Sequence, residues 1–285
     1  MSYGLDSDLQ GDKYQKTGGS ESNYVKLPFD VPVVYWKHGD ANAQPGPDGK
    51  MPITHYGRWN TSVDEWDQIV IESNLDIKPP EFEQRPKKDR AGHLLPGEFY
   101  RVYSWRYLMF SVIAQRSRWF PSKQADGSTR KMSHCQILAH LAEKQGKEIV
   151  PTLPVVLSAK VFASTHLEKL ISQWFAFIDD LGPNVPAQYF YMAIGTFGDK
   201  SVFSGTRGTS TLPQLFVNDK LTKDTLPFVG NDIARKMSEL KINAQEWLND
   251  EAWLKPETVK SGSGGASSSH QPEEYAPDDD ESIPF

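Results

Sequence analysis

Aromatic and basic side chains alternate between residues 99 and 131, a combination that suits binding of single-stranded nucleic acid. Cations follow a phosphate backbone, and flat rings stack on bases at roughly 1–3 kcal/mol per base. In an extended strand, alternate residues would share one face of a sheet. We therefore predict a DNA-binding surface from the following residues of this block: Arg101, Tyr103, Trp105, Arg106, Tyr107, Arg116, Arg118, Trp119, Phe120, Lys123, Arg130 and Lys131.

The same block has a second interpretation, in which its rings belong to the core. The arginines would then point to solvent from the opposite side of the strand, since side chains alternate between faces. A ring that stacks on a base must be exposed, whereas a core ring is buried. Among Tyr103, Trp105 and Trp119, we expect some rings to bind and others to pack in the core.

Charge is distributed unevenly along the chain, whose net charge is -6. Between Arg85 and Lys131, eleven basic residues outnumber three acids by eight. The segment after Lys260 has six acids and no Lys or Arg, so it carries the whole negative excess. An acidic chain of this kind remains compatible with a nucleic-acid partner, because phosphate binding depends on the local field.

Sequence motifs of enzymes and metal sites are missing. Residues 198–201 (GDKS) lack the adjacent Gly and Lys of a phosphate loop, and Ser, His and Asp follow no triad pattern. Cys135 lies near His134 and His140, but further ligands at metal spacing are absent, and we expect Cys135 to be a buried helical residue. We predict no enzymatic activity, no cofactor and no metal.

The elements that would position the block are mostly strands. Residues 98–120 are β-prone but too long for one ordinary strand, which predicts a bent strand or a hairpin. Residues 24–37 are also β-rich, and their two prolines favour an edge strand or a break. Further strands are predicted at residues 154–163, 188–197, 200–204 and 212–217.

Three segments show helical spacing of apolar residues: 131–146, 164–183 and 231–248. In the second, Thr165 and Glu168 form a capping-box pattern, and Gly182 marks the end. The third is predicted to be capped by Asn231 and to break near Ile242.

These elements predict a mainly β or α+β fold, an elaborated OB-like small barrel with two or three helices. We expect a flexible segment at 1–22, a nucleic-acid-binding domain at 23–255, a disordered linker at 256–277 and a tip at 278–285. No apolar run approaches the ~20 residues needed to span a bilayer, and no secretory signal is visible. A single cysteine fits a reducing cytoplasm.

The tip, DDDESIPF, combines acids with an apolar end. Phe285 offers a ring for a small pocket and a carboxylate for a basic rim, while Pro284 limits the entropy lost on docking. The preceding acids steer the tip toward basic surfaces. We predict that the tip binds a partner through seven residues: Asp278, Asp279, Asp280, Glu281, Ile283, Pro284 and Phe285.

This tip, with the Ser/Gly-rich linker before it, resembles the C-terminus of bacterial and bacteriophage single-stranded DNA-binding proteins. Glu281 and Ser282 separate the acids from Ile283, a small departure from the family pattern, and the body is about twice the usual length. The resemblance implies a protein that coats single strands and recruits replication, recombination and repair enzymes. Two alternatives remain open: a strand-annealing recombination protein with the same tip, and a nuclease docked at the replisome.

Overall fold

A computed structural model describes most of the chain between residues 25 and 254, in the ranges 25–39, 44–47, 49, 55–75, 77, 80–88, 94–123, 129–196, 202–205, 208–218 and 220–254. The expected flexible segment at 1–22, the linker at 256–277 and the tip at 278–285 lie outside the described residues.

Nine strands of the described chain form one sheet, which confirms a mainly β fold. The strands are β1 (Val33–Lys37), β2 (Arg58–Ser62), β3 (Glu81–Lys88), β4 (Leu94–Trp105), β5 (Tyr107–Lys123), β6 (Thr129–Gln145), β7 (Glu148–Lys160), β8 (Met192–Gly195) and β11 (Gln214–Phe216). A separate pair consists of β9 (Val202–Gly205) and β10 (Gly208–Thr211). The four shorter strand predictions each overlap an observed strand, namely β7, β8, β9 and β11.

The sheet is curled into a half-barrel. Its order is β11-β8-β5-β6-β7-β1-β2-β4-β3, and all its pairs are antiparallel except β1 with β7. In a flat sheet β4 and β5 would be about 24 Å apart, five steps of about 4.8 Å. However, only Arg106 separates Trp105 from Tyr107, which limits their Cα atoms to about 7.6 Å. The sheet must therefore bend round until the two strands meet at this residue.

The long β-prone segment is thus two successive strands of one bent chain. A bent strand was one of the two predictions for residues 98–120. The hairpin prediction is wrong, because β4 pairs with β2 and β3 whereas β5 pairs with β6 and β8.

The main core lies on the inner face of the curl, where strands from both halves of the sheet contribute side chains to one cluster. Helices α1 (Val63–Glu72) and α2 (Val161–Leu181) cover this face. Helix α2 presents the predicted apolar stripe, with Trp174 and Ile178 buried, and ends at Gly182, whose φ of 65° favours glycine. The predicted capping box is wrong, since the helix begins four residues before Thr165.

A second apolar cluster lies on the outer face over β5, β6 and β7. Helices α3 (Asn231–Asn243), α4 (Gln245–Leu248) and α5 (Glu251–Leu254) cover it, with the chain at residues 27–31. The predicted break is confirmed, because α3 gives way to α4 at Ala244, but the N-cap of α3 is Gly230 and not Asn231. Asp250 fastens the last helix by accepting bonds from the backbone N–H groups of Val25 and Trp253 at 2.8 and 3.2 Å.

Residues 131–146 form strand β6, so the helix prediction is wrong. Because β6 pairs on both sides and is covered on both faces, its inner and outer positions are both apolar, as at Ile137 and Leu138. Such an apolar run imitates helical spacing. Cys135 is on the inner face, opposite in direction to His134, and burial raises the pKa of its thiol to about 12.

The observed strand β1 and helix α1 also differ from the secondary structure predicted from the sequence. The prolines of residues 24–37 predict an edge strand or a break. The edge position is wrong, because β1 lies between β7 and β2, and the strand begins only after both prolines. Helix α1 was not predicted. Among the described residues, no helix is long and apolar enough to cross a membrane.

Candidate nucleic-acid interface

Strands β5 and β6 extend beyond the rest of the sheet as a two-stranded arm. Strand β7 stops pairing with β6 at His134, opposite Lys160, whereas β5 and β6 stay paired as far as Lys123 and Thr129. Residues 119–123 and 129–133 thus form the arm. Among the described strands, no neighbour pairs with the outer edge of either arm strand, so the backbone groups along both edges are unpaired in the sheet.

The base of the arm carries an exposed aromatic–cationic patch, which we define as Trp119, Lys131 and Phe162. The Trp119 side chain is 53% exposed, and Lys131 Nζ lies 5.6 Å from the centre of its ring. Phe162, in the first turn of α2, is 45% exposed. A cation over an indole face is favourable, and an exposed ring of this kind offers a surface on which a base can stack.

A hydrogen bond ties Phe162 to the arm. Ser133 lies directly opposite Trp119 in the ladder, and its hydroxyl donates to the carbonyl of Val161 at 2.7 Å. Val161 has a φ of 56°, which is unusual for a β-branched residue and is held by this surrounding structure. Phe162 was missed by the sequence analysis because it belongs to a helix 31 residues beyond Lys131.

Arg116 is buried, and its guanidinium is engaged on every side. It lies between the rings of Trp247 and Trp253, at 3.9 and 4.0 Å from their centres. Nε and Nη2 donate to Gln136 Oε1 at 2.9 and 2.6 Å, and Nη1 donates to the Trp247 carbonyl at 2.6 Å. This geometry gives Arg116 a packing role, which does not fit the predicted contact with phosphate.

Arg118 is buried in the same layer. Its guanidinium lies 4.5 Å from the Trp253 ring centre, and Nη1 donates to the Trp253 carbonyl at 3.4 Å. Phe120, half-buried, packs beside it, with the two groups 5.4 Å apart. The two arginines therefore fasten helices α4 and α5 to β5.

The three aromatic residues that we expected to divide occupy different environments. Tyr103 is buried on the inner face, and its hydroxyl donates to Asp67 at 3.0 Å. Trp105 is half-buried, edge-on to Trp66 with ring centres 5.1 Å apart. Trp119 is exposed, so it is the one of the three that is placed to stack on a base.

Three other predicted residues are exposed away from the arm. Arg101 pairs with Asp64 of α1 on the surface. Arg106 and Tyr107 line a groove of about 330 Å³ between the β4–β5 bend and the β6–β7 hairpin. Because Tyr107 and Trp119 are twelve residues apart on one strand, this groove is about 40 Å from the patch. The contiguous block thus separates into two distant exposed ends and a buried middle.

For the remaining predicted residues, the structure describes either the backbone position alone or nothing. Lys123 and Arg130 belong to the arm, opposite Thr129 and Ser122 in the ladder. The tip residues are not described. Among the described residues, no group of three or more His, Cys, Asp and Glu side chains is arranged to hold a metal ion.

Two buried histidines lie on the outer face of β6. Burial holds the pKa of His134 well below its usual value, and the cations of Lys160, Arg118 and Arg116 lower it further. Burial also lowers the pKa of His140, to about 4. Both are neutral at pH 7, and His134 accepts or donates one bond, to the Ser158 hydroxyl at 2.9 Å.

The chain was compared with known proteins in three ways. No family model, no curated protein and no solved structure matches it.

Proposed function

We propose that this protein binds and coats single-stranded DNA during replication, recombination or repair and recruits partner enzymes through its acidic C-terminal tip. The observation that carries the proposal is the patch of Trp119, Lys131 and Phe162, which combines exposed rings with a cation at the base of a projecting arm. Stacking and charge in one place are what a single strand requires.

The acidic tip and the curled sheet support the same proposal. The tip sequence resembles that of single-stranded DNA-binding proteins, and a curled, mainly antiparallel sheet is compatible with an elaborated OB-like body. The sheet has nine strands, more than the five of a simple OB barrel, so the body that we propose is an OB-like one with additional strands. The corresponding compartment is the cytoplasm of a bacterium or of a phage-infected bacterial cell.

The experiment is a titration of labelled single- and double-stranded oligonucleotides at two salt concentrations. We expect preference for single strands and a log K that falls with log salt by about 0.7 for each phosphate neutralised. Trp119→Ala and Phe162→Ala should each weaken binding by about 1–3 kcal/mol with little change in melting temperature. Equal affinity for duplex, or a flat salt response, would contradict the proposal.

The two alternatives give different results in the same reaction mixture. Addition of Mg²⁺ degrades the labelled strand if the protein is a nuclease, whereas our proposal expects the strand to remain intact. Addition of a complementary strand distinguishes annealing, because an annealing protein accelerates duplex formation and a coating protein does not.

A further inference from the structure

Five basic residues stand side by side across the outer face of the sheet, and we call them the basic row: Arg118, His134, Lys160, Lys37 and Arg58. Arg118 is paired with His134, and His134 with Lys160. Lys37 is paired with Arg58. The parallel pairing of Tyr35 with Ser158 brings Lys37 and Lys160, each two residues further on, to neighbouring positions. Five adjacent strands spaced by about 4.8 Å make a row about 19 Å long.

The residues at the two ends of the row have partners in the protein. Arg118 packs under Trp253, and Arg58 forms a 2.8 Å ion pair with Glu83. His134 is buried and neutral. Lys37 and Lys160, in the centre, are half-buried and form no ion pair with a carboxylate of the described residues. The centre of the row therefore has two cations available for an external anion.

The centre of the row meets the patch at the end of β7. Lys160 is the last residue of β7, and Val161 and Phe162 follow it directly. On the neighbouring strand, His134 faces Lys160, while the adjacent Ser133 bonds to the Val161 carbonyl. Two cations on the outer face and the rings of the patch are therefore joined around the end of a single strand, where the arm leaves the sheet.

We propose that Lys37 and Lys160 bind consecutive phosphates of a single-stranded polynucleotide, which then turns around the end of β7 so that its bases reach Phe162 and Trp119. The inference rests on the proposed function and adds the path of the backbone. It also predicts a preference for single strands over duplex. A duplex has a persistence length of about 50 nm and cannot turn around the edge of one strand, whereas a single strand can.

The test uses Lys37→Gln, Lys160→Gln and the double variant of the full chain, titrated with fluorescein-labelled oligothymidylate over a range of salt. Each lost phosphate contact should reduce the salt slope by about 0.7 and weaken binding most at low salt. Lys147→Gln is the matched control. This exposed lysine lies in the β6–β7 turn, about 40 Å from Lys160 along β7, and its removal should leave the affinity and the slope unchanged.

Melting curves and charge-conserving variants separate loss of contact from loss of fold. The Lys37→Arg and Lys160→Arg variants should retain the wild-type slope, because a guanidinium also binds phosphate. A double glutamine variant that melts normally and keeps the wild-type slope, while Trp119→Ala still weakens binding, would overturn the path. If the double variant has a lowered melting temperature, the single glutamine variants test the path instead. A single variant that melts normally and keeps the wild-type salt slope would contradict it. A wild-type protein that binds no single strand would instead refute the proposed function.

Discussion

Arg116 and Trp119 are three residues apart on β5 and lie in opposite environments, although both belong to the predicted binding block. Arg116 points to the outer face, where α4 and α5 enclose its guanidinium between two indole rings. Trp119 points the other way, on a part of the strand that β7 and the helices no longer cover. Both residues belong to the block predicted to bind, but burial leaves only Trp119 accessible to a ligand.

Arg116→Lys should destabilise the fold by roughly 1–3 kcal/mol, because lysine keeps the charge but loses the planar fork and leaves buried acceptors with fewer bonds. Single-strand affinity should stay at the wild-type level when measured well below the melting temperature. Urea unfolding and oligonucleotide titration measure the two quantities. Arg106→Lys, at an exposed position, is the control for stability. A stable Arg116→Lys protein with weakened binding would restore Arg116 to the interface.

Buried neutral histidines make stability depend on pH. Since the folded pKa values of His134 and His140 lie below the ordinary value, the unfolded chain takes up protons that the folded chain does not. Their contribution is complete above about pH 6.5 and is lost as pH falls toward the folded pKa, for His140 about 4. Between pH 6.5 and 5, His140 should remove about 1 kcal/mol per pH unit on average, and His134 acts in the same direction.

Urea unfolding at pH 6.5, 5.75 and 5 measures this slope. His140→Gln should flatten it by about 1 kcal/mol per pH unit, whatever its effect on stability at pH 7. An unchanged slope in His140→Gln would show that the imidazole is not kept neutral by the fold.

The residues of the proposed interface are partly predictable from the sequence. Trp119 and Lys131 were found because rings and cations concentrate there in the chain. Phe162, Lys37 and Lys160 were not found, because they reach this end of the sheet only through the helix start and the strand order. Arg116 was assigned to phosphate since nothing in its local sequence indicates that Trp247 and Trp253 cover it.

Strand β6 shows the corresponding limit for elements. Periodicity identifies helix α2, which has a polar side, but it fails for a strand that is apolar on both faces. The four shorter predicted strands each overlap an observed strand, whereas β2, β3 and β10 were not predicted. The bend between β4 and β5 was foreseen as a break in a segment too long for one strand, although the partners of each half depend on the curl of the whole sheet.

The arm should be separable from the core. Replacing residues 121–131 by an Asn-Gly turn would join Phe120 to Met132, which are directly opposite each other in the ladder, as a two-residue hairpin requires. None of the described side chains of the removed segment belongs to an apolar cluster, so we expect a melting temperature within a few degrees of wild type. Single-strand affinity should fall, because Lys131 and the arm beyond Trp119 are lost.

Thermal melting and oligonucleotide titration measure the outcome. Trp119→Ala is the reference, since it removes the ring but keeps the arm. Wild-type affinity in the truncated protein would place the interface elsewhere, with the groove at Arg106 and Tyr107 as the next candidate.

The molecule as a whole separates its charges. Without the residues after Lys260, the chain has 31 basic and 31 acidic residues, and the six remaining acids all belong to the tail. Locally, the basic row and the arm concentrate cations. The tail can therefore compete with phosphate for these cations, most strongly at low salt, where screening is weakest.

Deletion of residues 278–285 should leave the fold intact, abolish partner recruitment, and leave single-strand binding equal or stronger because four tail acids are removed. Deletion of Phe285 alone separates the two effects. It removes the ring expected to anchor the tip and transfers the terminal carboxylate to Pro284, but it keeps every acidic side chain. Partner binding, measured by pull-down of tip-binding replication or repair enzymes from a bacterial lysate, should collapse. Competition with DNA, measured by titration at low salt, should persist. Full recruitment by the Phe285 deletion would show that Phe285 does not anchor the tip, because the acidic side chains alone would then account for partner binding.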